Sequence, residues 1–513
     1  MGIQSEHSGR RARGARRNRQ AGSNAPNAPA YITRQINFYD LLSEDGLQQI
    51  EDNADQFLED FGLEFRDNPE AISLWKEAGA DVDGVLVRFP KGLVRSLIKT
   101  IPSQFTQHAR NPARSVEIGG KNLVFVPAYG PPFVAALDIE RRYSNLEDFQ
   151  NFVKLAYMTP WLHHSGGTVC EPVDIPVNKR HLDMVYSHLR YSDKAFMGSV
   201  TAPERARDTV DMARIVFGDA FVENNVCVVS LINMNSPRVF DGTMSSVLIE
   251  YAKAGQASIV TPFLLGGAMG PVTLAGVLAQ AHGEAMAGLA LTQLVRPGVP
   301  AIYGNFFTSL SLKSGAPTFG MPEPQLGYHI IGQLARRLSI PLRCGGSLTG
   351  SKINDVQSSQ ESVDSLLPAV QSGANFMLHA AGWLEGGLVM NYEKFILDTE
   401  HLMMMHRYCH GVDLDENGFA MDAFREVEPG GHFLGCAHTM RNYETAYVNP
   451  ELSDNDSFEQ WRDNGKIDIV SKANAKWKRM LADYQAPEID PAIDEALQSY
   501  VEKKKESMPD AWY

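Results

Sequence analysis

The 513-residue chain lacks long hydrophobic runs, paired cysteines and nucleotide-binding glycine motifs. It has no stretch of about 18 uninterrupted apolar residues, so we expect no membrane contact. Its five cysteines are scattered without a CxxC pair, which argues against a disulfide framework or zinc knuckle and favours a reducing cytoplasm. The absence of a Gly-x-Gly-x-x-Gly turn after a strand and of a Walker sequence disfavours a Rossmann-type nucleotide or S-adenosylmethionine site.

The acidic net charge of −14 hides a basic N-terminus. Residues 1–30 hold six arginines against one acid, a balance of +5 that leaves −19 for the rest. We interpret this segment as a disordered Arg-rich tail, which could also dock on an acidic partner or on nucleic acid. Because the body is strongly acidic, nucleic acid is a poor candidate for the main ligand.

Short apolar runs alternate with helical segments from residue 126 to 412. In Ala257–Phe307 a buried strand, a glycine-rich turn, an Ala-rich helix at Thr273–Val295 and a second strand follow one another, which requires a parallel sheet. The eight predicted strands are Leu162–Val169, Ala195–Val200, Val226–Ile232, Ala257–Leu264, Val299–Tyr303, Ile340–Arg343, Asn375–Ala380 and Gly387–Met390. They predict an α/β fold, a TIM (β/α)8 barrel, with an open doubly wound sheet as the alternative.

The flanking segments predict attachments to this barrel. Residues 31–125 have amphipathic helices and an expected hairpin at Ala113–Phe125 around Gly119-Gly120, so we predict an N-terminal α+β cap. The barrel then occupies 126–412. Residues 413–513 predict a C-terminal helical extension.

The predicted C-terminal ends of the strands, where barrel enzymes place their sites, carry rings, amides and glycines. The single carboxylate at a strand end proper, Glu171, is too little for a metal-dependent aldolase, and we expect no metal site. Aromatic faces with few charges suit a quaternary ammonium through cation–π attraction. The rings are Tyr129, Phe263, Tyr303, Phe306, Phe307, Trp383 and Tyr392.

Several strings resemble one known family, the trimethylamine methyltransferases. They are GPPFVAALDIERRYSNLEDFQNFVKLA, CEPVD, TPFLLGGAMGPVTLAG, GVPAIYGNF, RCGGSLTGSKINDVQSSQES and GGHFLGCAHTMRNYE. The resemblance implies a TIM barrel with N- and C-terminal additions. It also implies transfer of a methyl group from a methylamine to the cobalt of a separate corrinoid protein.

One departure from the family narrows the substrate. The archaeal trimethylamine enzymes carry pyrrolysine, whereas this chain reads in standard residues. It therefore resembles the branch without pyrrolysine, which includes glycine betaine:corrinoid methyltransferases. A quaternary ammonium already has a neutral amine as its leaving group, so cob(I)alamin can attack its methyl directly, and the protein's task is orientation and desolvation.

On this hypothesis the seven rings and Arg343 bind substrate, and Glu171 and His379 are the candidate catalytic residues. Four glycines would face the corrinoid: Gly266, Gly267, Gly345 and Gly346. We expect a small quaternary or tertiary methylamine, no tightly bound cofactor, cobalamin presented by a partner protein, and a homo-oligomer. Two alternatives stay open: a betaine-binding protein without catalysis, and a lyase or hydrolase on the same barrel.

Overall fold

The computed structural model describes residues 29–512. Almost all of the predicted tail at residues 1–30 lies outside this range. Within the described part of the chain, no helix is long and apolar enough to cross a membrane.

The N-terminal region combines three helices with short strands. Its elements are β1 (Ile32–Thr33), α1 (Glu44–Asp60), β2 (Leu63–Phe65), α2 (Pro69–Glu77), β3 (Asp81–Asp83), β4 (Leu86–Arg88), α3 (Leu93–Ile98), β5 (Gln104–Gln107) and β6 (Val116–Gly119). Helix α1 begins where the Ser43 side chain accepts the Gly46 N–H, as expected of an N-cap. Strands β5 and β6 form an antiparallel hairpin.

The central region alternates strands and helices. Up to residue 253 its elements are β7 (Asn122–Phe125), β8 (Phe133–Ala136), β9 (Ile139–Tyr143), α4 (Leu146–Met158), α5 (Arg180–Tyr191), β10 (Phe196–Met197), α6 (Pro203–Phe217), α7 (Asp219–Asn224), β11 (Val228–Met234), β12 (Val239–Phe240) and α8 (Gly242–Lys253). They are followed by β13 (Ala257–Gly266), α9 (Leu274–Val295), β14 (Ala301–Gly304), β15 (Phe306–Leu310), β16 (Pro317–Thr318), α10 (Pro322–Leu338), β17 (Leu342–Gly345), α11 (Val356–Gln371), β18 (Phe376–Leu378), β19 (Trp383–Leu384), β20 (Val389–Asn391) and α12 (Tyr392–His410).

The core is a curled parallel sheet in the spatial order β7-β18-β17-β14-β13-β11-β10. Residues 163–166 lie between its two edge strands. The N–H of His163 donates to Phe125 O on β7 at 3.1 Å, the N–H of Ser165 donates to Ala195 O at 2.8 Å, and the N–H of Met197 on β10 donates to Gly166 O at 2.8 Å. The edges are therefore joined through this segment. The architecture is α/β.

Helix α9 is the element on which the N-terminal helices pack. It is buried on nearly all sides, with α1, α2 and α3 on its outer face and β13 and β14 on its inner face. Two glycines allow this approach, because a Cβ at Gly283 would lie 2.9 Å from Phe57 Cδ1 and one at Gly288 would lie 2.5 Å from Val260 Cγ1. The predicted helix at Thr273–Val295 is confirmed.

The C-terminal region consists of short helices followed by two longer ones. They are α13 (Glu416–Phe419), α14 (Met421–Glu426), α15 (Ala437–Asn442), α16 (Phe458–Asp463), α17 (Ile469–Ala482) and α18 (Pro491–Glu506). Helix α17 packs against α12 and α4, and α18 packs against α5 and α6. The Trp477 indole N–H donates to Glu393 at 2.8 Å and fastens α17 to the start of α12.

Three strand predictions need correction. Leu162–Val169 forms no regular strand, although residues 163–166 within it bond to the edge strands. The predicted eighth strand, Gly387–Met390, is wrong as a member of the parallel sheet, because β20 pairs with β19 and β8 in a separate sheet. The missing strand is β7, which lies inside the range predicted for the cap and pairs in parallel with β18. The expected hairpin partner of Val116–Gly119 was misassigned, since that strand pairs with β5 and not with Asn122–Phe125. Gly119-Gly120 looks like a hairpin turn but only links two sheets.

Gly304, at the end of β14, provides a test of the close packing between β14 and β13. A Cβ there would lie 1.9 Å from Thr261 Oγ1 and 2.5 Å from Val260 O, a backbone atom that cannot move aside. We expect Gly304→Ala to lower the free energy of unfolding by about 3 kcal/mol, in the range of overpacked cores. Gly46→Ala in α1 is the control, since its nearest atom would be 3.5 Å away and alanine favours a helix by up to about 1 kcal/mol. Urea unfolding measures both, and equal effects would contradict the packing argument.

Candidate active site

Aromatic side chains meet where the parallel strands end. Phe263 and Phe306 are register partners on β13 and β15, so their rings stack with centroids 4.9 Å apart. The ring centroid of Trp383 lies 6.2 Å from that of Phe306. The rings of His379 and Phe319 meet Trp383 edge-on, with centroids 4.3 and 5.9 Å away. We call these five residues the aromatic cluster. Faces of this kind attract a methylated cation.

Arg343 lies beside the aromatic cluster with its charge uncompensated. Its side chain is 1% exposed, and its Cζ is 5.7 Å from the centroid of the Phe306 ring. One Nη1–H donates to Asn305 O at 3.0 Å, whereas Nε has no acceptor. No carboxylate within residues 29–512 forms an ion pair with it. Burial lowers the pKa of Arg343 to about 10, so the group stays cationic at neutral pH.

Besides Arg343 Nε, a second buried donor at this place lacks a hydrogen-bond partner. The indole N–H of Trp383 finds no acceptor among the described residues. An unsatisfied buried donor costs about 1–3 kcal/mol, and a buried charge costs more. Beside the aromatic faces, Arg343 Nε–H and the Trp383 indole N–H are thus two buried donors that could bind an anionic group.

His379 is held as a neutral ring. Its Nδ1 accepts the backbone N–H of Tyr129 at 3.2 Å, which places the proton on Nε2. Burial, and then the nearby Arg343 charge, hold the pKa of His379 well below its usual value. The residue has φ 62°, a left-handed conformation that costs a non-glycine residue about 1–3 kcal/mol and often marks functional sites.

The loop from His379 to Trp383 is held from behind by Ser347. The Ser347 N–H donates to His379 O at 2.9 Å and its hydroxyl donates to Ala380 O at 2.9 Å. Gly346 permits this contact, because a Cβ there would lie 2.7 Å from Ala380 Cα. The loop carrying two members of the aromatic cluster is therefore fixed by backbone hydrogen bonds.

A buried ion pair on α12 supports the same loop. Lys394 and Asp398, one helical turn apart and each with its side chain 2% exposed, contact each other directly. Asp398 accepts the Gly382 N–H at 2.9 Å, and Lys394 Nζ donates to Ser347 O at 3.4 Å. Burial raises the pKa of Asp398 to about 6 although Lys394 opposes the shift. This pair was not predicted, although a Lys and an Asp at i, i+4 within the apolar run KFILD are a readable signal.

Glu171 and Tyr129 lie near the same C-terminal ends of the parallel strands, which we call the mouth of the sheet. Glu171 forms an ion pair with Arg180 at 2.7 Å, and burial raises its pKa while Arg180 opposes the rise. Burial raises the pKa of Tyr129 to about 12, so its phenol stays protonated. The charge of Glu171 is thus matched within the chain, unlike that of Arg343.

Four of the seven predicted rings lie outside the aromatic cluster: Tyr129, described above, and Tyr303, Phe307 and Tyr392. The Tyr303 hydroxyl is 2.9 Å from His282 Nδ1 on α9. Tyr392 stacks on Phe152 and Trp477, with centroids 4.3 and 4.4 Å apart. Phe307 packs against α10, where a Cβ at Gly327 would lie 2.9 Å from its ring. Strand residues alternate between faces, so Tyr303 and Phe307 point outward while Phe306 points inward.

The four predicted corrinoid-facing glycines separate into two pairs. Gly266 and Gly267 end β13 near the surface. Gly345 and Gly346 are buried, and a Cβ at Gly345 would lie 2.7 Å from Leu348 Cδ1. The second pair serves loop packing. Phe319 was missed because it follows a two-residue strand, β16, that the sequence pattern does not reveal.

A family model and a curated relative show the family of this chain. The family described as Trimethylamine methyltransferase (MTTB) matches residues 6–509. A glycine betaine methyltransferase of Desulfitobacterium hafniense (strain Y51) is 42% identical over 468 residues, covering 91% of this chain and 97% of that protein. A proline betaine:corrinoid methyltransferase of Eubacterium limosum is 26% identical over 490 residues, covering 92% and 99%. The crystal structure of the Methanosarcina barkeri monomethylamine methyltransferase matches with a TM-score of 0.42 and 11% identity, covering 87% and 96%.

The Lys394–Asp398 pair gives a double-mutant test. Removing one partner leaves a buried charge alone, so we expect Lys394→Met or Asp398→Leu to lower the free energy of unfolding by about 3–5 kcal/mol. The double variant should lose less than either single variant, because no charge is left unpaired. Arg214→Met, which removes a surface pair with Asp211, should change stability by less than about 1 kcal/mol. Additive losses in urea unfolding would show that the pair does not act as a unit.

Proposed function

The chain belongs to the trimethylamine methyltransferase family and is a corrinoid-dependent methyltransferase, and from this premise we propose that its substrate is a quaternary amine that also carries a carboxylate. Glycine betaine is the simplest such compound. The methyl acceptor is cob(I)alamin carried by a separate corrinoid protein. The observation that carries the proposal is the uncompensated Arg343 guanidinium beside the aromatic cluster.

The charge of Arg343 discriminates between a zwitterion and a bare cation. At a separation of about 6–10 Å and an effective dielectric constant of about 20, two positive charges repel by about 2–3 kcal/mol. Choline or trimethylammonium bound at the cluster would suffer this repulsion and leave the guanidinium unpaired. A betaine reverses the sign, because its carboxylate matches Arg343 while its methylated nitrogen contacts the rings.

We assign the donors of the site to the carboxylate. Arg343 Nε–H and the Trp383 indole N–H lack acceptors, and the Nε2–H of the neutral His379 is the third donor of the same cluster. Phe263 and Phe306 then form the wall against which the ammonium rests. The role of His379 in this proposal is orientation, since its lowered pKa keeps the ring neutral and leaves no imidazolium to donate a proton at neutral pH.

The proposed reaction requires no proton transfer to the amine. The C–N bond of one methyl breaks, its electron pair stays on nitrogen to give a neutral tertiary amine, and the electron pair of cobalt(I) forms the new bond to carbon. An acid or base is therefore unnecessary, which agrees with a neutral His379 and with a Glu171 already paired to Arg180. The protein contributes orientation and exclusion of water.

We propose that the corrinoid approaches at the end of β13. Gly266 and Gly267 lie there, and the exposed side chains of Val272 and Leu312 flank the position of a Gly267 Cβ at 3.6 and 3.7 Å. Small residues beside apolar ones would let a flat macrocycle come close to the mouth. Gly345 and Gly346 are withdrawn from this role because they are buried.

We further propose that the curled sheet is a complete (β/α)8 barrel with residues 163–166 as its second strand. The three backbone hydrogen bonds that join this segment to β7 and β10 support this. The barrel would begin near Asn122, with residues 31–121 as an α+β cap and 413–513 as a C-terminal helical extension. A cytoplasmic location fits the five cysteines, which are all free and buried.

Methyl transfer with a substrate panel tests the function. The purified protein should transfer a methyl group from glycine betaine to the cob(I)alamin of its corrinoid protein, and absorbance measures the methylcobalamin formed. The rate of methyl transfer should be far lower with choline or trimethylamine. A substrate-independent rate, or a preference for choline, would contradict the carboxylate argument. S-adenosylmethionine should not act as a donor.

The Arg343→Met variant tests whether the guanidinium of Arg343 binds the substrate carboxylate. We expect the KM for glycine betaine to rise about 100-fold, equivalent to about 3 kcal/mol, because a charged hydrogen-bonding partner is removed. The KM for choline should stay constant or fall, since the repulsion disappears. Arg207→Met, which removes an exposed arginine paired with Glu250, is the control and should change neither. Equal losses for both substrates would mean that Arg343 only supports the fold.

A further inference from the structure

One segment of the C-terminal region projects from the body of the protein. It comprises residues 412–450, which we call the arm. Before it, the Cys409 carbonyl accepts the Gln35 N–H at 2.8 Å. After it, the Glu400 carboxylate accepts the N–H groups of Glu451 and Leu452 at 2.9 and 2.7 Å. Both ends are thus anchored near α12, and the 39 residues between them form a separate unit.

The arm's own polar groups give it a defined shape. Arg441 Nη2 contacts Asp422 at 2.6 Å, and the Ala437 N–H donates to Glu426 at 2.9 Å. The His438 Nε2 lies 2.8 Å from Asn417 O. These contacts connect α13 and α14 to α15. The arm also contains the string GGHFLGCAHTMRNYE, which the candidate active site does not use.

The apolar side chains of the arm point to solvent. Ten large ones are between 42% and 84% exposed: Val412, Leu414, Phe419, Met421, Phe424, Phe433, Leu434, Met440, Tyr443 and Tyr447. Within the arm, only Ala423 and Cys436 are buried. The arm therefore has no interior of its own, since its polar pairs are exposed as well, Arg441 by 54% and Asp422 by 48%.

Size and area show that this surface needs a cover. Chain lengths below about 40 residues seldom stabilise themselves through a core. Ten side chains exposed by 42–84% present on the order of 1,000 Å², beyond the patch of a few hundred Å² that monomers tolerate. A standard protein interface needs about 800 Å² from each partner. The arm alone supplies that area.

We propose that the arm is a self-association surface, through which two copies of this chain assemble and cover each other's arms. A permanent cover is required because the exposed groups belong to a segment without its own core, and obligate interfaces are the more hydrophobic ones. A corrinoid protein that exchanges at each turnover would leave the arm bare between encounters. The proposal rests on the arm's geometry and not on the proposed function.

The two copies are identical, so a twofold axis gives a closed and reciprocal contact to which each copy contributes its arm.

Light scattering coupled to gel filtration tests the proposal on the full chain. Wild-type protein at micromolar concentration should have at least twice the mass of one chain. Leu434→Asp and Leu414→Asp should raise the dissociation constant at least about 100-fold, because each places a charge in an apolar contact. Leu137→Asp is the matched control, since Leu137 is 61% exposed but lies outside the arm. Its mass should equal that of the wild type.

Two results would overturn the proposal. One is a monomeric wild type. The other is a Leu434→Asp variant that keeps its assembly but loses affinity for the corrinoid protein, which would make the arm a docking site for that partner. If a variant loses its circular dichroism, hydrogen exchange of the wild type replaces it. Arm amides should then be protected in concentrated protein and lose protection on dilution, and concentration-independent exchange would contradict self-association.

Discussion

A buried positive charge without a negative partner in its own chain is the constraint on which the site depends. Three other cations are buried among residues 29–512, and each has more partners within the chain than Arg343 has. Arg34 donates to backbone carbonyls that include Asn122 O, and Lys194 Nζ donates to three carbonyls at 2.7–2.8 Å. Lys394 has Asp398. Arg34 also has an Nε without an acceptor and no carboxylate partner, but three backbone carbonyls accept from its Nη groups, whereas one carbonyl accepts from Arg343. In the proposed site a ligand carboxylate would complete the partners of Arg343.

That incomplete charge requires a rigid frame. A flexible side chain would turn its guanidinium to water, but Arg343 lies on a strand with parallel neighbours on both sides and beneath the Phe306 ring. The opposite wall is the loop from His379 to Trp383, fixed by the neutral Lys394–Asp398 pair. Because that pair is balanced within the chain, the wall keeps its shape whether or not substrate is present. Substrate binding should therefore raise stability by relieving only the Arg343 charge.

The sequence predicted where the residues of the candidate site come together better than it predicted which aromatic residues belong to that site. Listing strand ends selected Phe263, Phe306, Arg343, His379 and Trp383, because a parallel sheet brings all its C-terminal ends to one mouth. It could not separate Phe306 from Tyr303 and Phe307. The run AIYGNFF is apolar on both faces, so its alternation carries no sign of which face is inside. A one-residue ambiguity of this kind is resolved only by register with β13.

The apolar patch at the mouth suits a short-lived contact with a partner, whereas the apolar surface of the arm suits a permanent one. Beside the mouth, Val272 and Leu312 are 71% and 78% exposed, a small patch on a structured rim that water can cover without penalty to the fold. A partner that delivers cobalamin and leaves would fit such a patch, since transient interfaces are small. The arm is the reverse case, because its larger surface belongs to a segment that has no other core. Catalytic exchange and permanent assembly would then occur on separate faces, so that assembly does not obstruct the mouth.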